Sequence, residues 1–97
     1  MNTEVRDKFD KLISENPSLR GSKLYKSDKT NHRLMVILKD GEIIYFGDPH
    51  NIAYVDHHDD DRRRSYLARS AGIRDKNGTT TANNPHRANY WSRNILW

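Results

Sequence analysis

The chain has 97 residues, a net charge of +4, 31% charged and 34% apolar residues, and no cysteine. That length bounds it to one small domain whose core leaves only a few kcal/mol of net stability. Missing thiols exclude disulfides, zinc–thiolate sites and thiol nucleophiles, and no apolar run approaches the ~18 residues needed to cross a bilayer, so no membrane partner is expected.

The first predicted element is an amphipathic helix over Thr3 to Glu15. Val5, Phe9, Leu12 and Ile13 recur at i, i+4, i+7 and i+8 with charged residues between them. Thr3 is the expected N-cap, and Asn16-Pro17 stops the helix because the residue before proline is pushed out of the α region. Nothing in the charged N-terminal stretch resembles a signal peptide, so a soluble intracellular protein is expected. After a linker to Ser22, three strands follow: Lys23 to Asp28, His32 to Lys39 and Glu42 to Phe46.

Asp40-Gly41 reads as a two-residue hairpin turn, which pairs Lys39 with Glu42, Leu38 with Ile43 and Ile37 with Ile44. Leu34, Val36 and Leu38 point to one face of the middle strand and Met35 and Ile37 to the other, so both faces are apolar and each needs a cover. The N-terminal helix can supply one. The C-terminal half or a partner molecule must supply the other.

Gly47-Asp48-Pro49 ends the sheet, and His50 to Asp59 reads as a loop anchored by Ile52 and Tyr54. Asp59, Asp60 or Asp61 then caps a helix reaching about Ala71, with Gly72 as its C′ residue and the pairs Asp59/Arg63 and Asp60/Arg64 at i, i+4. Asp75 to Asn84 is polar and turn-rich, and Pro85 starts a last short helix through Tyr90, Trp91, Ile95 and Leu96. The expected fold is thus α+β in a single domain, 1–97. Residues 1–22 form an amphipathic helix and linker, 23–47 a small antiparallel meander of two to three strands, and 48–97 a basic aromatic half with two short helices.

Charge is unevenly placed along this plan. Residues 1–61 hold nine Arg/Lys against twelve acids, while residues 62–97 hold eight against one and carry Tyr66, Tyr90, Trp91 and Trp97. A net −3 followed by +7 implies that the second part meets an acidic protein surface, a nucleic acid or another copy. Arg62, Arg63, Arg69, Arg74, Tyr90, Trp91, Arg93 and Trp97 are the candidate partner-binding residues, with Arg69 and Arg93 as charge-assisted anchors and the rings as apolar ones.

Against this, Arg62 to Arg64 can be neutralised by the adjacent Asp run, and Trp91, Ile95 and Leu96 at i, i+4 and i+5 can be core. Trp97 is expected to be buried with its carboxylate on an arginine. The one ligand-like cluster is His50, His57 and His58 with Asp56 and Asp59 to Asp61, and within it His57, His58 and Asp60 are the metal candidates. Adjacent histidines rarely reach one ion together, so no metal and no cofactor is assigned. No serine sits in a glycine elbow and no phosphate-binding glycine loop is present, so catalysis is not expected.

Tyr45-Phe46-Gly47-Asp48-Pro49, Arg62-Arg63, Tyr66-Leu67-Ala68-Arg69 and Tyr90-Trp91-Ser92-Arg93 with Leu96-Trp97 together resemble small uncharacterised proteins of tailed bacteriophages and large DNA viruses. The resemblance covers roughly Tyr45 to Trp97 and departs at Ser70, where many of those proteins carry histidine. It implies a viral origin and, in some phages, an association with virion structural genes, but no known reaction. Together with the basic aromatic C-terminal half, this leads to the expectation of a non-enzymatic viral structural protein, a minor capsid, head-to-tail connector or decoration component of a phage virion, present in host cytoplasm before assembly. Its implied partners are capsid, portal or connector subunits or copies of itself. A basic DNA-binding accessory protein acting in packaging or on intracellular viral DNA is the alternative.

Overall fold

Helix α1, Thr3–Glu15, buries Val5 and Phe9, the stripe its periodicity marks. In the computed structural model, which describes residues 1–97, the cap is Asn2 and not Thr3. The Asn2 carboxamide oxygen accepts from the Glu4 N–H at 2.7 Å and the Val5 N–H at 3.4 Å, so the expected span Thr3–Glu15 holds with the cap one residue earlier. Asn16 ends it, its side chain donating to the Leu12 carbonyl at 2.8 Å ahead of a tight turn over Pro17–Leu19.

The antiparallel sheet has the order β1 (Lys23–Lys26), β2 (Leu34–Ile37), β3 (Ile43–Phe46), each strand shorter than the run that signals it. The β2–β3 register differs by one residue from the two-residue-turn expectation. Ile37 pairs with Ile43 and Val36 with Ile44. A three-residue loop makes this possible: the Leu38 N–H donates to Glu42 at 2.8 Å, and Gly41 takes φ +92, which glycine alone adopts cheaply. The shift places buried Val36 beside buried Ile44. The two-residue turn would have set Ile44 opposite Ile37, on the other face.

Helices α2 (Tyr54–His57), α3 (Asp60–Ser70) and α4 (Ala88–Trp91) follow, and α4 runs on into a π-helical turn at Ser92–Leu96. That wider turn, closed by Trp97 N–H to Ser92 O at 3.1 Å, directs both Ile95 and Leu96 inward along with Trp91. Trp91 is 0% exposed and sits between Phe9 (6.3 Å) and Phe46 (6.5 Å). Its indole N–H donates to the Pro85 carbonyl at 2.7 Å, so Pro85, near the start of the last helix as expected, serves as an acceptor three residues ahead of α4.

Three further expectations are corrected. Ile52 is 57% exposed, and the segment after the sheet is anchored by buried Ala53 and Val55. Asp59 caps α3 through Asp61 N–H and Arg62 N–H, but Gly72 lies outside the left-handed region and is no Schellman glycine. The ion pairs on α3 are Asp59–Arg62 (3.8 Å) and Asp61–Arg64 (2.9 Å), both i, i+3, because Asp60 accepts from the Tyr54 hydroxyl and Arg63 turns to Trp97.

One core joins all three parts of the chain: Val5 and Phe9, then Leu24, Leu34, Val36, Ile44 and Phe46, then Trp91, Ile95 and Leu96. Helix α1 and the last helix therefore lie on the same face of the sheet. Met35 and Ile37 face the opposite side with Tyr25, Ile43 and Tyr45; no helix packs there, Tyr25 and Ile43 are exposed, and Met35, Ile37 and Tyr45 are half-buried.

Candidate functional site: the Tyr66–Trp97 cleft

Helix α3 is exposed along most of its length and turns Tyr66, Leu67 and Ser70 toward the body. Ser70 is 0% exposed and organises the contact: its hydroxyl accepts from Arg93 at 2.6 Å, and its carbonyl accepts from Asn89 at 2.8 Å. The same Arg93 nitrogen donates to the Leu67 carbonyl at 2.6 Å. Arg93 is thus a brace between the last helix and α3, adding a second donor to the Leu67 carbonyl, which also accepts the Ala71 N–H at 3.1 Å.

Between α3, the last helix and the β3–α2 connection lies a cleft of about 510 Å³. Tyr66 and Trp97 stack on one wall, ring centres 4.2 Å apart and 9° from parallel. Burial raises the Tyr66 hydroxyl pKa, with Ser92, Arg93 and Arg69 opposing the shift. Arg69 reaches over the Tyr66 ring at 5.7 Å and makes no ion pair. Exposed Ile52 and buried Leu96 add apolar surface.

The opposite wall is Arg33, locked bidentately to Asp56 at 2.6 and 2.8 Å. Asp56 also accepts from the Ala53 N–H at 2.8 Å at the start of α2. Arg33 first of all, and Ala53 after it, hold this carboxyl below its ordinary range against partial burial. Gly47 floors the cleft at φ +85, where an added Cβ would lie 2.8 Å from Leu96 Cδ1 and 2.9 Å from Arg33 Cβ. No sequence pattern singles out Arg33 or its pairing with Asp56, 23 residues away; Asp56 figures only within the ligand-like His/Asp cluster.

The sequence-predicted residues separate into groups. Arg69 and Trp97 line the cleft. Arg62 is exposed and near Asp59. Arg63 donates to the main-chain carboxylate oxygen of Trp97 at 2.8 Å, the arginine pairing expected there, and lies 5.5 Å from the Tyr54 ring, and Arg74 donates to the Gly78 carbonyl at 2.7 Å, bracing its own hairpin. Tyr90 is half-buried, edge-on to Trp91. Trp91 is core, the second of its two readings, and so presents no docking surface, while Arg93 is half-buried and braces α3 through one guanidinium nitrogen. Trp97 covers one face of the Tyr66 ring, and Trp91 is fully buried.

The metal candidates His57, His58 and Asp60 are not brought to a common point. His57 Nδ1 accepts from the Asp59 N–H at 2.9 Å, which leaves the proton on Nε2, buried without a hydrogen-bond partner while the ring sits edge-on to Trp97 at 5.4 Å. His58 Nε2 faces Glu4 at 2.6 Å, and Asp60 holds Tyr54 at 2.9 Å.

Fold and site define a small α+β protein whose sheet is backed on one face by helices and whose C-terminal helices enclose an arginine-bearing aromatic cleft. The chain belongs to the family of unknown function DUF5754, whose model matches residues 22–70. It is 37% identical to the uncharacterized protein L851 of Acanthamoeba polyphaga mimivirus over 101 aligned residues, covering 100% of both chains. The similarity thus includes α1 and the sheet, which the Tyr45–Trp97 resemblance left out. No solved structure matches.

Proposed function

We propose that the protein is a non-enzymatic virion component that docks on acidic surfaces of other virion proteins through the Tyr66–Trp97 cleft and the exposed basic side of α3. The carrying observation is Arg69, a guanidinium without a carboxylate partner, beside exposed Ile52 and the stacked rings. An arginine flanked by aromatic and aliphatic surface in a concave site is the composition of an interface hot spot. An Asp or Glu side chain from a partner loop entering the cleft completes Arg69 and covers Ile52 in one event.

The mimivirus source of the relative favours the large-DNA-virus arm of the resemblance over the tailed-phage arm. A minor capsid, connector or decoration role fits a small protein with one docking cleft, made in the host cytoplasm and carried in the particle. Mass spectrometry of purified particles tests the reading. The protein is expected there at fixed stoichiometry and is expected to be lost from particles when Arg69→Glu is introduced. Its absence from wild-type particles, or normal incorporation of Arg69→Glu, overturns the reading.

A further inference from the structure

The uncovered face of the sheet has its own chemistry. The register sets Tyr25, Met35 and Tyr45 in one row across the three strands and Lys23, Ile37 and Ile43 in the next. Tyr25 is 41% and Ile43 46% exposed. Lys29 holds its ammonium 4.3 Å from the centre of the Tyr45 ring, and His32 packs against that ring at 5.6 Å. Lys23, Lys26, Lys29 and Lys39, on or at the margins of the sheet, are all exposed and none forms an ion pair or side-chain hydrogen bond. The nearby acids are engaged: Asp28 faces the Tyr45 hydroxyl, Asp40 accepts the Glu42 N–H at 2.9 Å, and Glu42 meets His86 at 2.6 Å.

We propose that this face binds single-stranded nucleic acid, with Tyr25 as the stacking platform and the Lys23 and Lys29 ammonium groups on phosphates, Lys26 lying in the Leu34–Phe46 row of the other face. An open antiparallel sheet with exposed rings takes two or three unpaired bases, whose faces a duplex hides, while flanking cations track the backbone. Unpaired ammonium groups select an anionic occupant. A second copy of the chain fits less well, because it brings the same lysines. Three four-residue strands also offer roughly 200 Å², well short of the ~800 Å² per partner of a stable dimer. This surface is separate from the cleft, so either can fail without the other.

The test is fluorescence anisotropy of a labelled 12-nucleotide oligo(dT) titrated with the full chain at low salt, with a 12-base-pair duplex as comparison. Single strands are expected to bind, with affinity falling as salt rises by a log–log slope of roughly −0.7 per phosphate contacted. Tyr25→Ala, at an exposed position and checked for folding by circular dichroism, is expected to weaken binding at least about five-fold. Lys23→Glu with Lys29→Glu should weaken it further and flatten the salt slope, while Arg69→Glu leaves it unchanged. No binding, equal or tighter binding of the duplex, an unaffected Tyr25→Ala variant, or concentration-dependent self-association that Tyr25→Ala abolishes each overturns the assignment.

Discussion

Residues 62–97 and the three-stranded sheet both set cations among aromatic rings, yet Arg63, Arg74 and Arg93 of the first donate to the chain's own main-chain oxygens, whereas Lys23, Lys26, Lys29 and Lys39 of the second meet no acid and no carbonyl. The guanidinium fork explains the difference. Its five N–H donors in a fixed plane close helix ends and hairpins at little entropic cost, and a lysine ammonium on a flexible stem does so less well. A +7 segment can therefore be mostly structural glue, while a sheet in the net-acidic part of the chain keeps free positive charge. Segregation of charge in sequence measures where charges lie, not which of them are free.

The contrast breaks most sharply at Trp91. Trp91→Ala removes a fully buried indole from between two phenylalanines along with its bond to Pro85. It should cost about 3–5 kcal/mol in urea denaturation, enough to unfold so small a domain, while Tyr25→Ala costs less than about 1 kcal/mol. Next comes Gly47→Ala, where left-handed backbone and the Leu96 and Arg33 contacts together should cost about 2–3 kcal/mol.

Asp56→Ala should cost about 2 kcal/mol by breaking the Arg33 pair and the Ala53 bond. Because the fold lowers the Asp56 pKa, the unfolded chain binds this proton more readily. Its stabilisation is complete above the ordinary carboxylate range near 4 and is lost as pH falls through the lower folded value. Denaturation midpoints between pH 6 and 2 should show a shallower acid decline in Asp56→Asn than in wild type. Arg93→Lys should cost about 1–2 kcal/mol, since an ammonium on a shorter reach cannot hold both Leu67 and Ser70. Smallest of all, Arg64→Ala should change stability by under about 0.5 kcal/mol, its pair with Asp61 being fully at the surface.

The α1 stripe, three strands and two C-terminal helical segments were legible because each carries its own period in the residue order. The one-residue register shift was not, because turn length is decided by which neighbours share the buried face, and Asp40-Gly41 suits both loops. Arg69 and Trp97 could be named from composition and position, whereas the Arg33–Asp56 wall depends on two segments meeting in space. Trp91 illustrates the limit from the other side: an indole among arginines reads as interface or core until the packing of Phe9 and Phe46 decides. The uncovered sheet face was half legible, since Met35 and Ile37 demanded a cover but not which candidate would be used up on the other side.

Hydroxyl-radical footprinting of the folded chain, read residue by residue in a mass spectrometer, tests this division most directly. Tyr25 and Met35 should oxidise early, while Trp91 stays protected until denaturant unfolds the domain. Trp91 labelled as fast as Tyr25, or Tyr25 and Met35 both shielded in the native monomer, would contradict a core Trp91 and an open sheet face.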